Sequence, residues 1–270
     1  SGTYVNRNHF AGLMVLCVGL CAGAALQQRG EGVSSFQLRL LLERVTRWML
    51  GPQVWLMFPT VVLLGGLILS TSRGGVAACL GAVMAVAAMG GGRARVGRAL
   101  GMLTVVAGIA VFWLGSGDML PSLAEKGISS NRGDLARMTL DLIAQSPFFG
   151  GGAGTFEWRF PAVRTQSLLD VYYHHAHNDY LELIADVGLI GVIPFVVGVI
   201  VVFKRLIGGV RGRRDLVART CVGGALVATI GALLHAIVDF NFHIPANATY
   251  FFVIVAIGLV AADSNTMRHR

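Results

Sequence analysis

Apolar residues fall in long blocks separated by short polar segments. Most blocks show neither the 3.6-residue period of a half-buried helix nor the alternation of a strand. Blocks near 20 residues that are apolar on every side read as helices crossing a lipid bilayer. Seven such spans are expected, at about 9–27, 48–70, 75–92, 99–117, 181–203, 220–240 and 248–263. The pattern breaks at length only over 118–180, too long a stretch to be mere connection. Inside it Leu135, Met138 and Leu142 recur at helical spacing behind Asn131-x-x-Asp134, which resembles a capping box, and Pro147 ends the run. An amphipathic surface helix of about four turns is expected there. The glycine-rich SPFFGGGAGTF (146–156) follows, then Glu157, Trp158, Arg159 and Arg164 among aromatics, and a second surface helix is expected to connect these to three histidines.

The fold class is therefore all-α: a polytopic transmembrane helical bundle with a large, partly helical external loop. With no internal repeat or linker, it reads as a single domain. Composition agrees. Hydrophobic residues make up 54% of the 270, charged residues 13%, and the mean hydropathy is +0.67. That charged fraction is about half the usual value for a soluble domain. A β-barrel is excluded, because barrels need short alternating segments. The four cysteines, Cys17, Cys21, Cys79 and Cys221, all fall inside apolar blocks, so no disulfide framework is implied. The chain opens SGTYVNRNHF, without an initiator Met or a signal-peptide pattern, which raises the expectation of further helices upstream.

The net charge of +8 does not point to nucleic acid, because the basic residues serve topology. RARVGR (93–98), the six Lys and Arg between Lys204 and Arg219, the arginines of 28–47 and the terminal MRHR fall in alternate connections. By the positive-inside rule these face the cytoplasm. The other connections then lie outside: YVNRNH, STSRGG, the loop 118–180 and DFNFHIPAN. The long loop carries seven acids against five Lys or Arg. The histidine-bearing loop is therefore expected to face away from the cytoplasm.

Three stretches carry the chemistry: SRGG, NRGDLARMTLDLIAQSPFFGGGAGTF and HAHNDYLELIADVGLIG. Their order and spacing resemble the bacterial O-antigen ligase and polymerase superfamily. The most specific element is His177-Asn178 followed by nine residues and Gly188-Leu-Ile-Gly191, and HAIVDFNFHIPANATYFF resembles the family's C-terminal pair of spans. The resemblance implies an integral membrane glycosyltransferase. Its donor would be a glycan on an undecaprenyl-pyrophosphate carrier. Its acceptor would be a hydroxyl on lipid A-core for a ligase, or on another carrier-linked repeat for an O-antigen or exopolysaccharide polymerase. Membrane lipids are the other expected partners, and no cofactor is implied.

The residues suit that reaction. A pyrophosphate leaving group gains negative charge as the glycosidic bond breaks, and guanidinium groups stay ionised and offer paired donors to phosphate oxygens. The candidates are Arg73, Arg132, Arg137, Arg159 and Arg164, with Asn178 placed to orient substrate. Arg73, between two apolar blocks, stands out because a charge there is costly without a partner, which Asp239 or Asp186 could also supply. The acceptor hydroxyl calls for a general base, for which His177 is the first candidate and His175 the second. Glu182 and Asp186 share one helical face, and His235 and Asp239 repeat the spacing; all four read as supports behind the site. Three rival readings stand beside this one. A metal could be held by His175 and His177 with Glu182 or His243. The same surface could serve a non-enzymatic transporter or flippase of lipid-linked glycan. An intramembrane protease is weaker, because no nucleophile motif accompanies the histidines.

Overall fold

The computed structural model describes residues 6–27, 52–89, 127–165 and 172–263. The described residues are all-helical, with no strand. In chain order the helices are α1 (Arg7–Gln27), α2 (Pro52–Leu69), α3 (Arg73–Met89), α4 (Gly127–Gln145), α5 (Phe156–Arg159), α6 (Asp179–Gly212), α7 (Leu216–His235) and α8 (Pro245–Asp263). Three of them, α6, α7 and α8, are long and apolar enough to cross a membrane. Shorter apolar stretches cover Arg7–Gly23, Phe58–Leu69 and Arg73–Met89. The span expected at 99–117 lies outside the described residues.

Helix α7 is the centre of the bundle, packed against α1, α3, α6 and α8. Apolar faces alone do not hold helices together in lipid, where tails are as apolar as leucine, so close backbone approach matters. Small residues provide it between α1 and α7. A Cβ on Gly23 would stand only 2.3 Å from the Gly223 carbonyl oxygen. The outer face of α6 is the reverse case: Ile193, Phe195, Val197 and Ile200 are exposed, as lipid-facing side chains should be.

Several expected boundaries move, among them the end of the span expected at 181–203, because α6 runs on to Gly212. Helix α4 starts at Gly127, ahead of the expected cap at Asn131, so that Asn lies within the helix. Its apolar face is as expected: Leu135, Met138 and Leu142 are buried against Phe156, Phe160, Ala176 and Ala185. The expected span 220–240 ends at His235. The chain then leaves the helix, and the reason is polar: the Asp179 N–H donates to the carbonyls of Ala236 and Asp239, at 2.9 and 3.3 Å. The second surface helix expected to connect Glu157 to Arg164 with the histidines falls largely outside the described residues; Phe156–Arg159 form one turn, α5, followed by a 3-10 turn at Phe160–Ala162.

Helix α6 is broken at Gly188, where φ is 67° and ψ 175°. The glycine-rich segment fills the break. Leu189 and Ile190 donate to the carbonyls of Pro147 and Phe148 at 2.9 and 3.1 Å, while Gly151 and Gly152 donate to those of Ala185 and Asp186 at 3.0 and 2.8 Å. Two rungs of the helical ladder are thus taken over by the loop, which keeps every one of these backbone groups paired. Gly150 and Gly188 make the approach possible. A Cβ on Gly150 would lie 2.3 Å from the Asp186 carbonyl oxygen, and one on Gly188 would lie 2.3 Å from that of Phe148.

Candidate active site

The four connections expected on one side of the membrane meet at one end of the bundle. Arg7, at the start of α1, donates to Thr71 between α2 and α3 at 3.1 Å. His9 stands edge-on to Phe240, ring centroids 4.5 Å apart, and its carbonyl accepts from Asn247 Nδ2 at 2.9 Å. Tyr180 on α6 donates its hydroxyl to the Leu233 carbonyl of α7 at 2.7 Å.

The histidine segment runs across this end. Asn178 caps α6, its side-chain oxygen accepting from the N–H groups of Tyr180 and Leu181, both at 3.0 Å. That use fixes where the helix begins, and it leaves Asn178 only its amide NH₂ for other partners. His177, just before the cap, adopts φ 50°, a left-handed conformation uncommon for a residue with a side chain. Its Nδ1 faces Asp239 Oδ1 at 3.3 Å. The ring is also wedged edge-on against Phe240 (4.8 Å) and Tyr173 (6.4 Å). Burial opposes ionisation of Asp239, but the hydrogen bond from His177, the Phe240 N–H and the charge of nearby histidines outweigh it. The carboxyl is held below its ordinary value. An ionised Asp239 orients His177 with its proton on Nδ1 and leaves Nε2 free to take another. The His177 side chain keeps 24% of its surface exposed, so a substrate can reach it.

A second network lies beside the first. Glu182, 2% exposed, accepts from His175 Nδ1 at 2.7 Å and from the Ala176 N–H at 2.8 Å. His243 donates from Nδ1 to Asp179 Oδ1 at 2.8 Å, and its Nε2 stands 3.4 Å from Glu182 Oε1. His175 stacks on Phe240 at 4.3 Å and faces His243 at 4.9 Å. His175, Glu182 and His243 thus place ligand atoms within 4.8 Å of one another, close enough for a metal ion. The hydrogen bond to Asp179 raises the pKa of His243 above the ordinary histidine value, against burial and with help from Glu182 and Asp186.

The remaining expected site residues fall around these two networks. His235 is buried and pairs through Nδ1 with Asn241 Nδ2 at 3.0 Å, with no hydrogen bond to Asp239. Glu182 and Asp186 share a helical face but serve different neighbours. Asp186 accepts from the Gly154 N–H at 2.6 Å and so secures the glycine loop rather than the histidines. Arg73 is exposed at the first turn of α3 and makes no ion pair with Asp239, Asp186 or any other described residue. Its neighbour Gly74 abuts Val238 and His235, which puts Arg73 beside the turn that carries Asp239. Arg132, half-buried on α4, lies close enough to His235 for its charge to act on that ring. Arg137 is exposed one turn further along α4. Arg159 donates to the Ala185 carbonyl at 3.1 Å and lies over Gly151, so it braces the glycine loop. Arg164 is half-buried, with its charge felt by Tyr172. His174 pairs with Glu157 at 2.9 Å on the surface.

The pattern of sequence that defines a family described as O-antigen ligase matches residues 58–196, just over half of the chain. The chain belongs to the O-antigen ligase family. No match is found among curated proteins. Members of the O-antigen ligase family are membrane glycosyltransferase-type enzymes acting on lipid-linked glycans, and this one is a bacterial membrane protein. The matched segment includes Arg73, α4, the glycine loop, the histidines and the break at Gly188. His9, Asp239 and His243 lie outside it, so this chain completes the family segment with partners from both flanks.

Sequence reasoning did not single out Asp179, Asn241, Asn247 or His9, and gave His243 only a minor place. The signal for Asp179 was available: an acid directly after the Asn cap, with no basic residue near it in sequence, needs a partner from elsewhere.

Proposed function

We propose that the protein transfers a glycan from an undecaprenyl-pyrophosphate carrier to an acceptor hydroxyl at the periplasmic face of the inner membrane, as an O-antigen ligase. The observation that supports this most is the His177–Asp239 pair: an accessible imidazole, oriented by a buried carboxylate, at the end of the bundle. The alternation of basic connections supports the periplasmic side.

The acceptor oxygen attacks the anomeric carbon of the carrier-linked sugar. His177 Nε2 takes the hydroxyl proton, while Asp239 steadies the imidazolium that forms. The bond from the anomeric carbon to the phosphate oxygen breaks, and its electron pair leaves with undecaprenyl pyrophosphate. Arg73, whose neighbour Gly74 abuts His235, and Arg132, whose charge reaches that ring, meet the growing charge. Glu182, Asp179 and His243 hold the histidine segment in register, and lipid A-core is the acceptor this reading assigns.

The test is transfer in reconstituted vesicles. His177→Ala should lower the rate by about 10²–10⁴-fold with donor binding retained. Unchanged transfer would falsify the assignment, and unchanged transfer with abolished carrier movement would make the protein a transporter. Deletion of the gene separates the two family activities. A ligase leaves carrier-linked polymer accumulating with no glycan attached, whereas a polymerase leaves single repeats attached.

A further inference from the structure

The start of α1 holds a cation that the transfer chemistry above does not use. Arg7 is exposed, and its guanidinium donates to Thr71 Oγ1 at 3.1 Å. Thr71 has φ 56°, a left-handed conformation that is a marked outlier for a β-branched residue. Arg73 follows two positions later, also exposed. Arg7 thus bonds to one strained threonine, and Arg73 stands two positions along the chain from it. Neither makes an ion pair with a described residue. The acids at this end of the bundle are engaged elsewhere: Asp239 with His177, Asp179 with His243, Glu182 with His175, and Asp186 with Gly154. Adjacent like charges with no carboxylate between them are poised for an anion from outside the chain. The threonine adds a donor. Its oxygen already accepts from Arg7, so its own hydrogen is free to donate to an acceptor oxygen.

We propose that Arg7, Thr71 and Arg73 form one diphosphate-binding site, in which Arg7 is a substrate-binding residue that grips the carrier pyrophosphate opposite Arg73. The proposal rests on the lipid-pyrophosphate reading given above. It offers a reason for the strain at Thr71, whose hydroxyl already meets Arg7 and would meet the same diphosphate. It also gives the first turn of α1 two tasks, because His9 lies two positions after Arg7 and packs on Phe240 beside the His177–Asp239 pair. One helix end would then set the distance between leaving group and base.

The experiment measures binding of undecaprenyl pyrophosphate to the whole protein in phosphatidylcholine vesicles. Wild type is compared with Arg7→Gln, Arg7→Lys, Thr71→Val and Arg73→Gln, after each variant is shown to unfold at the wild-type temperature. Loss of a charge-assisted hydrogen bond from Arg7→Gln should weaken binding about tenfold or more. Arg7→Lys should recover part of the loss, since charge remains while the paired donors do not. Inorganic pyrophosphate should compete, and excess phosphatidylglycerol should not. Normal binding by Arg7→Gln alongside weakened binding by Arg73→Gln overturns the role of Arg7 and leaves the transfer reading intact. Normal binding by both overturns the site and the lipid-pyrophosphate reading together. Competition by phosphatidylglycerol assigns the arginines to lipid headgroups and overturns the proposal.

Discussion

His243 donates to Asp179 at 2.8 Å while its other nitrogen faces Glu182 at 3.4 Å, so a residue from the turn before α8 joins two acids of the first turn of α6. This contact has a pH dependence of definite sign. The pKa of His243 is raised in the folded protein by its bond to Asp179. Its stabilisation is therefore fully present below the unfolded value of about 6.5, and is lost as pH rises through the higher folded value. Thermal unfolding in detergent should show stability falling over that alkaline range. His243→Gln should flatten the fall. An equally steep fall in the variant would assign the dependence to another group.

The same contact bears on metals. His243 Nδ1 is engaged with Asp179, and the proposed transfer routes no step through an ion at the cluster with His175 and Glu182. Transfer should survive prolonged treatment with a strong chelator at neutral pH. Loss of activity, restored by a divalent cation, would show that an ion displaces the proton.

In the proposed transfer, Asp239 acts on the reaction only through His177. Asp239→Asn preserves shape but removes the charge that selects the proton position on the ring. The expected result is a fall in kcat of about 10²-fold or more, with KM for the donor nearly unchanged. A rise in KM without loss of kcat would instead place Asp239 in contact with substrate.

Gly188→Ala tests the interlock of α6 with the glycine loop. The added Cβ meets the Phe148 carbonyl oxygen at 2.3 Å, and φ 67° is costly for alanine. Destabilisation should exceed about 2 kcal/mol, seen as a lower unfolding temperature or loss of inserted protein. Gly198→Ala is the control. A Cβ at Gly198 meets nothing within 4 Å, and a helical alanine is favoured over glycine by about 1 kcal/mol, so that variant should be at least as stable.

Much of the fold is legible in the chain because lipid imposes a strong and simple rule. An apolar block near 20 residues can satisfy its backbone only as a helix, so α1, α3, α6, α7 and α8 follow from composition. Helix α4 follows from Leu135, Met138 and Leu142, whose spacing survives in their shared burial. The candidate site is legible where one segment carries it, as at His175, His177 and Glu182. It is hidden where the partner is distant. Asp239 reads as a helical neighbour of His235, yet it pairs with His177, 62 positions away. Asp186 reads as a companion of Glu182, but the glycine loop claims it, because the break at Gly188 brings backbone N–H groups to that side. His9 looks like a lone polar residue at the edge of a span. Only the packing of α1 on α7 carries it to Phe240.

The loop that fills the break in α6 also has a consequence for how the protein is made. Released from its loop, α6 would enter the bilayer with the N–H groups of Leu189 and Ile190 and the carbonyls of Ala185 and Asp186 stripped of partners. The segment that supplies those partners, residues 147–152, is translated just before the helix and sits on the same side of the membrane as its first turn. The glycine loop is thus a built-in part of the span that follows it. The glycines must reach the break before α6 can settle with its backbone paired, so synthesis order and final architecture are matched.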